Sequence, residues 1–91
     1  VFAGAVVQPG ARVGAHAIVN TSASVDHDCE LGELVHVAPG CHLAGGVVLE
    51  AGVFLGVGTV VTPGRRVGAW TVVGAGAAVV RDLPPGVTAV G

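Results

Sequence analysis

Lysine, methionine and tyrosine are missing from this chain of 91 residues, and charge is scarce: four arginines stand against six acidic residues, for a net charge of −2. With so few cations, no surface can neutralise a nucleic-acid backbone and no polybasic patch can hold an anionic membrane. Neither nucleic acid nor a membrane is expected as a partner. Long apolar runs are also absent. Although 52% of the residues are hydrophobic, Gly, Pro or His interrupts every stretch well before about 18 residues, so no membrane-spanning helix and no signal peptide are expected. The two cysteines, Cys29 and Cys41, fit neither a disulfide framework nor a zinc-finger spacing, which makes a reducing, cytoplasmic setting the expectation. A chain this short is near the lower limit for a self-sufficient core, so support from other subunits is expected. It starts without Met and inside a repeating pattern, and reads as a piece of a longer protein.

What the sequence does contain is a period of six. From Val1 onward, Val7, Val13, Val19, Val25, Leu31, Val37, Leu43, Leu49, Leu55, Val61, Val67, Val73 and Val79 follow without an insertion. Four residues after each comes a mostly small residue, including Ala5, Ala11, Ala17, Ala23, Cys29 and Cys41. Residues two apart share a face of an extended strand, so the small residue and the next aliphatic both point inward. Between strands sits a two-residue corner. Pro9-Gly10, Pro39-Gly40 and Pro63-Gly64 carry the type II turn signature, with Pro fixing the first φ and Gly supplying a positive second φ. Helix is excluded by the recurrent glycine and by the lack of any 3.6-residue period.

Such hexads of strand and corner resemble the hexapeptide-repeat acyltransferases. That resemblance implies an all-β, left-handed parallel β-helix with three hexads per coil, giving about 4.7 coils stacked at roughly 4.8 Å. A residue then lies beneath the one eighteen positions later. The pattern falters at Leu83 and Pro85, so the helix is expected over residues 1–84, with 85–91 as a tail after "RDLPPG". No such ending caps the N-terminal coil, whose backbone edge is expected to be open.

Stacking by eighteens brings Ile18, His36, Phe54 and Val72 into one outward apolar column, with Asn20, Ala38, Gly56 and Gly74 beside it. One greasy side on a three-sided prism predicts packing against copies of itself, most simply a homotrimer. His27 and Asp28 occupy a corner where Pro and Gly are usual, and a positive φ at Asp28 is a mild pointer to function. This corner lies opposite the face of His36. An intersubunit site would combine His27 and Asp28 of one chain with His36 and Asn20 of the next.

The segment "NTSASVDHDCELGELVHVAPG", followed by "LAGGV", resembles the sugar O- and N-acetyltransferases of the sialic-acid and UDP-amino-sugar class. The resemblance implies His27 as general base with Asp28 polarising it, Asn20 and His36 as positioning residues, and the backbone N–H of Gly45 on the acetyl carbonyl. It implies acetyl-CoA as cosubstrate and a sugar as acceptor, chosen by an N-terminal nucleotide-sugar domain that this sequence does not include. The chemistry is coherent on its own terms. An amine or hydroxyl must lose a proton as it attacks a thioester, and imidazole is suited to take it. Cys29, the nearest nucleophile, points inward, so direct attack is expected. Up the same corner column lie Gly46, Gly64, Arg66 and Arg81, placed to follow a coenzyme A chain and pair with its phosphates; Arg65 falls in an inward slot without an explanation.

Two other readings stay open. The γ-type carbonic anhydrases use a similar prism with histidines on zinc, but two ligands from one chain are there five residues apart, whereas His36 and His42 are six apart on adjacent faces; no metal is expected. The other is a β-helix used as a non-catalytic scaffold or as an ice-binding surface; a flat ice-binding face would rank threonines in one column, and here they do not align.

Overall fold

Turning the chain every six residues leaves room only for short strands, and each strand in the computed structural model, which describes residues 4–90, is two residues long. Val1, the first aliphatic position of the pattern, lies outside the described residues. The strands form three parallel sheets, which are the faces of a left-handed β-helix. The first face carries Val6–Val7, Ser24–Val25, His42–Leu43, Val60–Val61 and Ala78–Val79; the second carries Arg12–Val13, Glu30–Leu31, Val48–Leu49 and Arg66–Val67. The third carries Ile18–Val19, His36–Val37, Phe54–Leu55, Val72–Val73 and Thr88–Ala89.

The register follows the predicted eighteen. Ser24 pairs with His42 and His42 with Val60 on the first face. Glu30 pairs with Val48 on the second, and Ile18 with His36 and His36 with Phe54 on the third. The aliphatic and small slots stack inside: Val25, Leu43 and Val61 are buried, as are Leu31, Leu49 and Val67, with Cys29, Cys41, Val47 and Val53 filling the narrower slots. Each fully buried aliphatic contributes about 1.5–3 kcal/mol relative to exposure, and a slip of one residue would turn all of them outward. Two inward threonines keep their hydroxyls satisfied, Thr59 by donating to the Gly56 carbonyl at 2.8 Å and Thr71 to that of Pro84 at 2.8 Å.

The corners have a division of labour. The second corner residue has a positive φ and donates its N–H one lap down, as Gly46 does to the His27 carbonyl at 3.1 Å and Gly64 to that of Gly45 at 3.0 Å. The first corner residue's N–H has no place in this ladder, which is why Pro is accepted there at 9, 39 and 63. At Asp28 φ is 60°, but His16, Ser22, Leu34 and Trp70 have φ between 59° and 63°. The left-handed conformation therefore belongs to the corner geometry and does not single out Asp28 as functional.

The last lap departs from the sequence reading. Ending the helix at residue 84, with Leu83 in a small slot and 85–91 as a tail, is corrected by two pairings. Leu83 bridges Val67, and Thr88–Ala89 pairs with Val72–Val73, each sixteen residues on instead of eighteen. Two residues are dropped from the lap and the period of six then resumes, with Pro85-Gly86 as an ordinary corner: Gly86 has φ 71° and its N–H donates to the Ala69 carbonyl at 2.9 Å. Where the missing residues would have supplied a carbonyl, Asp82 Oδ1 accepts the Arg66 N–H at 2.9 Å. The short lap also explains Arg65. Its inward slot is left open at the edge, so the side chain turns out along the corner, with Nε donating to the Pro63 carbonyl at 3.3 Å and lying 4.0 Å from Asp82 Oδ1.

Candidate active site

His27 stands at the corner between the first and second faces, its side chain 72% exposed. Its Nδ1 lies 3.2 Å from Asp28 Oδ2. A carboxylate only accepts, so Nδ1 carries the hydrogen in this pair and Nε2 is left as an open acceptor. One lap up, the imidazole lies against the backbone of Gly45. A methyl on Gly45 would fall 2.7 Å from Cε1 and 2.8 Å from Nε2 of His27. Only glycine leaves the ring this position. The Gly45 N–H, at a first corner position, enters no hydrogen bond among the described residues. An imidazole with a free Nε2 and an unengaged amide donor thus share one corner, as the eighteen-residue stacking predicts.

Asn20 and His36 sit elsewhere, on the third face, opposite this corner. His36 is half-buried between Ile18 and Phe54, its ring 5.1 Å from that of Phe54 at 49°. Asn20 uses Oδ1 to accept the Thr21 N–H at 2.8 Å and keeps its amide NH₂. Within one chain neither is brought to His27. The apolar column beside them is solvent-facing, with Ile18, Phe54 and Val72 all exposed.

Along the His27 corner, Gly46 and Gly64 spend their N–H groups on the ladder, so they offer a ligand a surface free of side chains and no donor. Arg66 reaches solvent but is held: Nη2 lies 2.7 Å and Nε 2.8 Å from Glu50 Oε2, while Glu50 Oε1 accepts the Ala69 N–H at 3.0 Å. The Arg66 hydrogen bond, helped by the Ala69 amide, holds the Glu50 carboxyl below its usual range. Sequence reading missed this clip, since Glu50 and Arg66 are neither near in sequence nor in one column. Arg81 is exposed at the lip of a cleft of about 200 Å³ lined by Val79, Val80, Leu83, Ala89 and Val90. It enters no ion pair among the described residues.

The thiols are confirmed as inward. Cys29 Sγ donates to the Ala44 carbonyl at 3.1 Å and Cys41 Sγ to that of Gly56 at 3.1 Å, and burial pushes both thiols up. Neither is placed to attack a ligand. His42, outward on the first face, has a partner the sequence did not announce: its Nδ1 lies 2.7 Å from Ser24 Oγ. His36 and His42 project from different faces. No helix of the described residues is long and apolar enough to cross a membrane.

No family model and no curated protein matches the sequence. Solved structures do. The acetyltransferase domain of PglB from Neisseria gonorrhoeae, in complex with acetyl coenzyme A, is 43% identical over 98% of this chain, with a TM-score of 0.97. PerB from Caulobacter crescentus, in complex with CoA and GDP-perosamine, is 45% identical over 100% of this chain, with a TM-score of 0.90. A histidine-to-alanine variant of GDP-perosamine N-acetyltransferase from Caulobacter crescentus, with the same two ligands, is 50% identical over 100%, with a TM-score of 0.99. The chain spans 43% to 53% of the length of these three.

Proposed function

The chain belongs with the hexapeptide-repeat β-helix domains of the sugar N-acetyltransferases, and from that premise we propose that it moves an acetyl group from acetyl-CoA to an amine or hydroxyl of a nucleotide sugar. The observation that carries this reading is the corner where the His27 ring lies against Gly45, its Nδ1 engaged by Asp28 and the Gly45 N–H left unengaged.

In this reading His27 Nε2 takes the proton of the acceptor as its nitrogen or oxygen bonds to the acetyl carbon. Asp28 fixes the tautomer and stabilises the imidazolium that results. The Gly45 N–H donates to the carbonyl oxygen as negative charge gathers on it, then releases it when the carbon–sulfur bond breaks and the thiol leaves with a proton. A positioned base contributes about 10²–10⁴ in rate, and one oxyanion donor about 10²–10³. Coenzyme A follows the corner upward past Gly46 and Gly64 toward Arg66 and Arg81. Arg81 has its guanidinium available for phosphate, while Arg66 must share its guanidinium with Glu50.

The third face supplies the rest. With Ile18, His36, Phe54 and Val72 packed against a second copy in a homotrimer, Asn20 and His36 of that copy would stand beside the His27 corner and help to position substrate. Within one chain they lie on the face opposite His27, so in this reading they act from a neighbouring copy. Free, buried thiols suit a reducing cytoplasm. The test is free-thiol release by the full-length protein with UDP-4-amino sugars, GDP-linked amino sugars, sialic acids and simple amines. His27→Ala is expected to lower turnover about 10²–10⁴-fold while leaving the oligomer intact; wild-type turnover in that variant refutes the assignment.

A further inference from the structure

The geometry points to a second polar pair on the first face, Ser24 with His42, as the contact for the phosphate groups of the acceptor; this rests on the acetyltransferase reading above. Ser24 and His42 are cross-strand partners one lap apart, joined by the 2.7 Å Ser24 Oγ···His42 Nδ1 hydrogen bond. They stand three residues before His27 and Gly45 respectively, so the pair lies about 10 Å along the face from the base. When Ser24 donates its hydroxyl hydrogen to Nδ1, His42 presents Nε2–H outward as a fixed donor. No other basic side chain lies on the first face among the described residues.

The order of acceptors and donors along this face matches one kind of molecule. At the His27 end stand two carboxylates, Asp28 bonded to the base and Asp26 half-buried just before it. At the far end stands the imidazole. An acceptor with an amine to give up a proton and an anionic phosphate to accept a hydrogen bond would lie along the face in one direction only. In a nucleotide sugar the ring and the glycosidic oxygen put the phosphates on the order of 6–9 Å from the amine, a reach that suits the spacing of the two histidines. Ser24 is then a positioning residue, holding the His42 ring in place, and the ligand is the phosphate of a nucleotide-linked amino sugar.

The test compares a nucleotide-linked amino sugar with the same amino sugar lacking its nucleotide, by thiol release from the full-length protein. In His42→Gln the KM for the nucleotide-linked acceptor should rise about 10- to 100-fold, the effect of one hydrogen bond to a charged oxygen, while the KM for acetyl-CoA stays within about twofold. The preference for the nucleotide-linked acceptor should fall by the same factor. Ser24→Ala should raise that KM by about 3- to 10-fold, and Ser24→Thr, which keeps the hydroxyl, should restore it. Wild-type turnover with an unchanged preference in His42→Gln overturns the assignment alone. Absence of thiol release by the wild-type protein with either acceptor overturns the acetyltransferase reading, and the assignment with it.

Discussion

Adding one methyl group at Gly45 tests the site more sharply than removing the base. The new carbon would stand 2.7, 2.8 and 3.3 Å from Cε1, Nε2 and Nδ1 of His27, where ordinary contact begins near 3.4 Å. The ring must withdraw by about 0.7 Å or rotate, and its 72% exposure lets it do so without disturbing the core. Position 45 does not have the left-handed backbone of the second corner residues, so alanine adds no strain there, and the amide donor remains. Stability should change by less than about 1 kcal/mol. A reacting geometry displaced on this scale loses about 10²-fold in rate, so kcat for thiol release in Gly45→Ala should fall by about that factor, with the melting temperature nearly unmoved. Gly58→Ala is the opposite case. It lies at another corner with φ 73°, and a methyl there meets nothing within 4 Å. It should lose about 1–2 kcal/mol from the left-handed backbone alone and keep its turnover. Wild-type kcat in Gly45→Ala, measured on protein of wild-type stability, would refute the claim that the ring works from its place against Gly45.

Protonating Glu50 should uncouple it from Arg66. Its folded pKa is depressed by that pairing, so its contribution to stability is fully present above the unfolded carboxylate value of about 4.3 and disappears as pH falls through the lower folded value. Melting temperatures of wild type and Glu50→Gln should therefore differ at pH 6 and converge in strong acid; a difference that persists there would count against the clip. Phe54→Asp puts a charge in the apolar column of the third face, and sedimentation should show loss of the trimer at micromolar concentration with the β-sheet signal kept. A trimer of undiminished stability in that variant would place the interface elsewhere.

Much of the prism was legible before any coordinates. The aliphatic ladder and the small slots recur each six residues, so the same burial preference is stated again on every lap, and the register it selects is the one observed. Placing Gly45 over His27, and His36 on the far face, followed from that arithmetic alone. Where the repeat breaks, the arithmetic fails. Nothing in "RDLPPG" announces that the lap shortens by two residues, because Leu83 and Pro85 out of phase look the same as the end of the pattern. Asp28 was over-read for a similar reason: the corner's backbone is common to His16, Ser22, Leu34 and Trp70, and only the φ angles reveal it.

By itself, then, the sequence determined the three-sided coil, its inward and outward columns and the corner that holds His27, since each rests on a preference repeated often enough to accumulate. Only the tertiary structure decided that Asp82 replaces a lost carbonyl, that Arg65 escapes through the short lap, that Glu50 holds Arg66 and that Ser24 orients His42. Each is a single contact made by one particular side chain. No period repeats such a contact, and its geometry depends on space that neighbouring laps happen to leave.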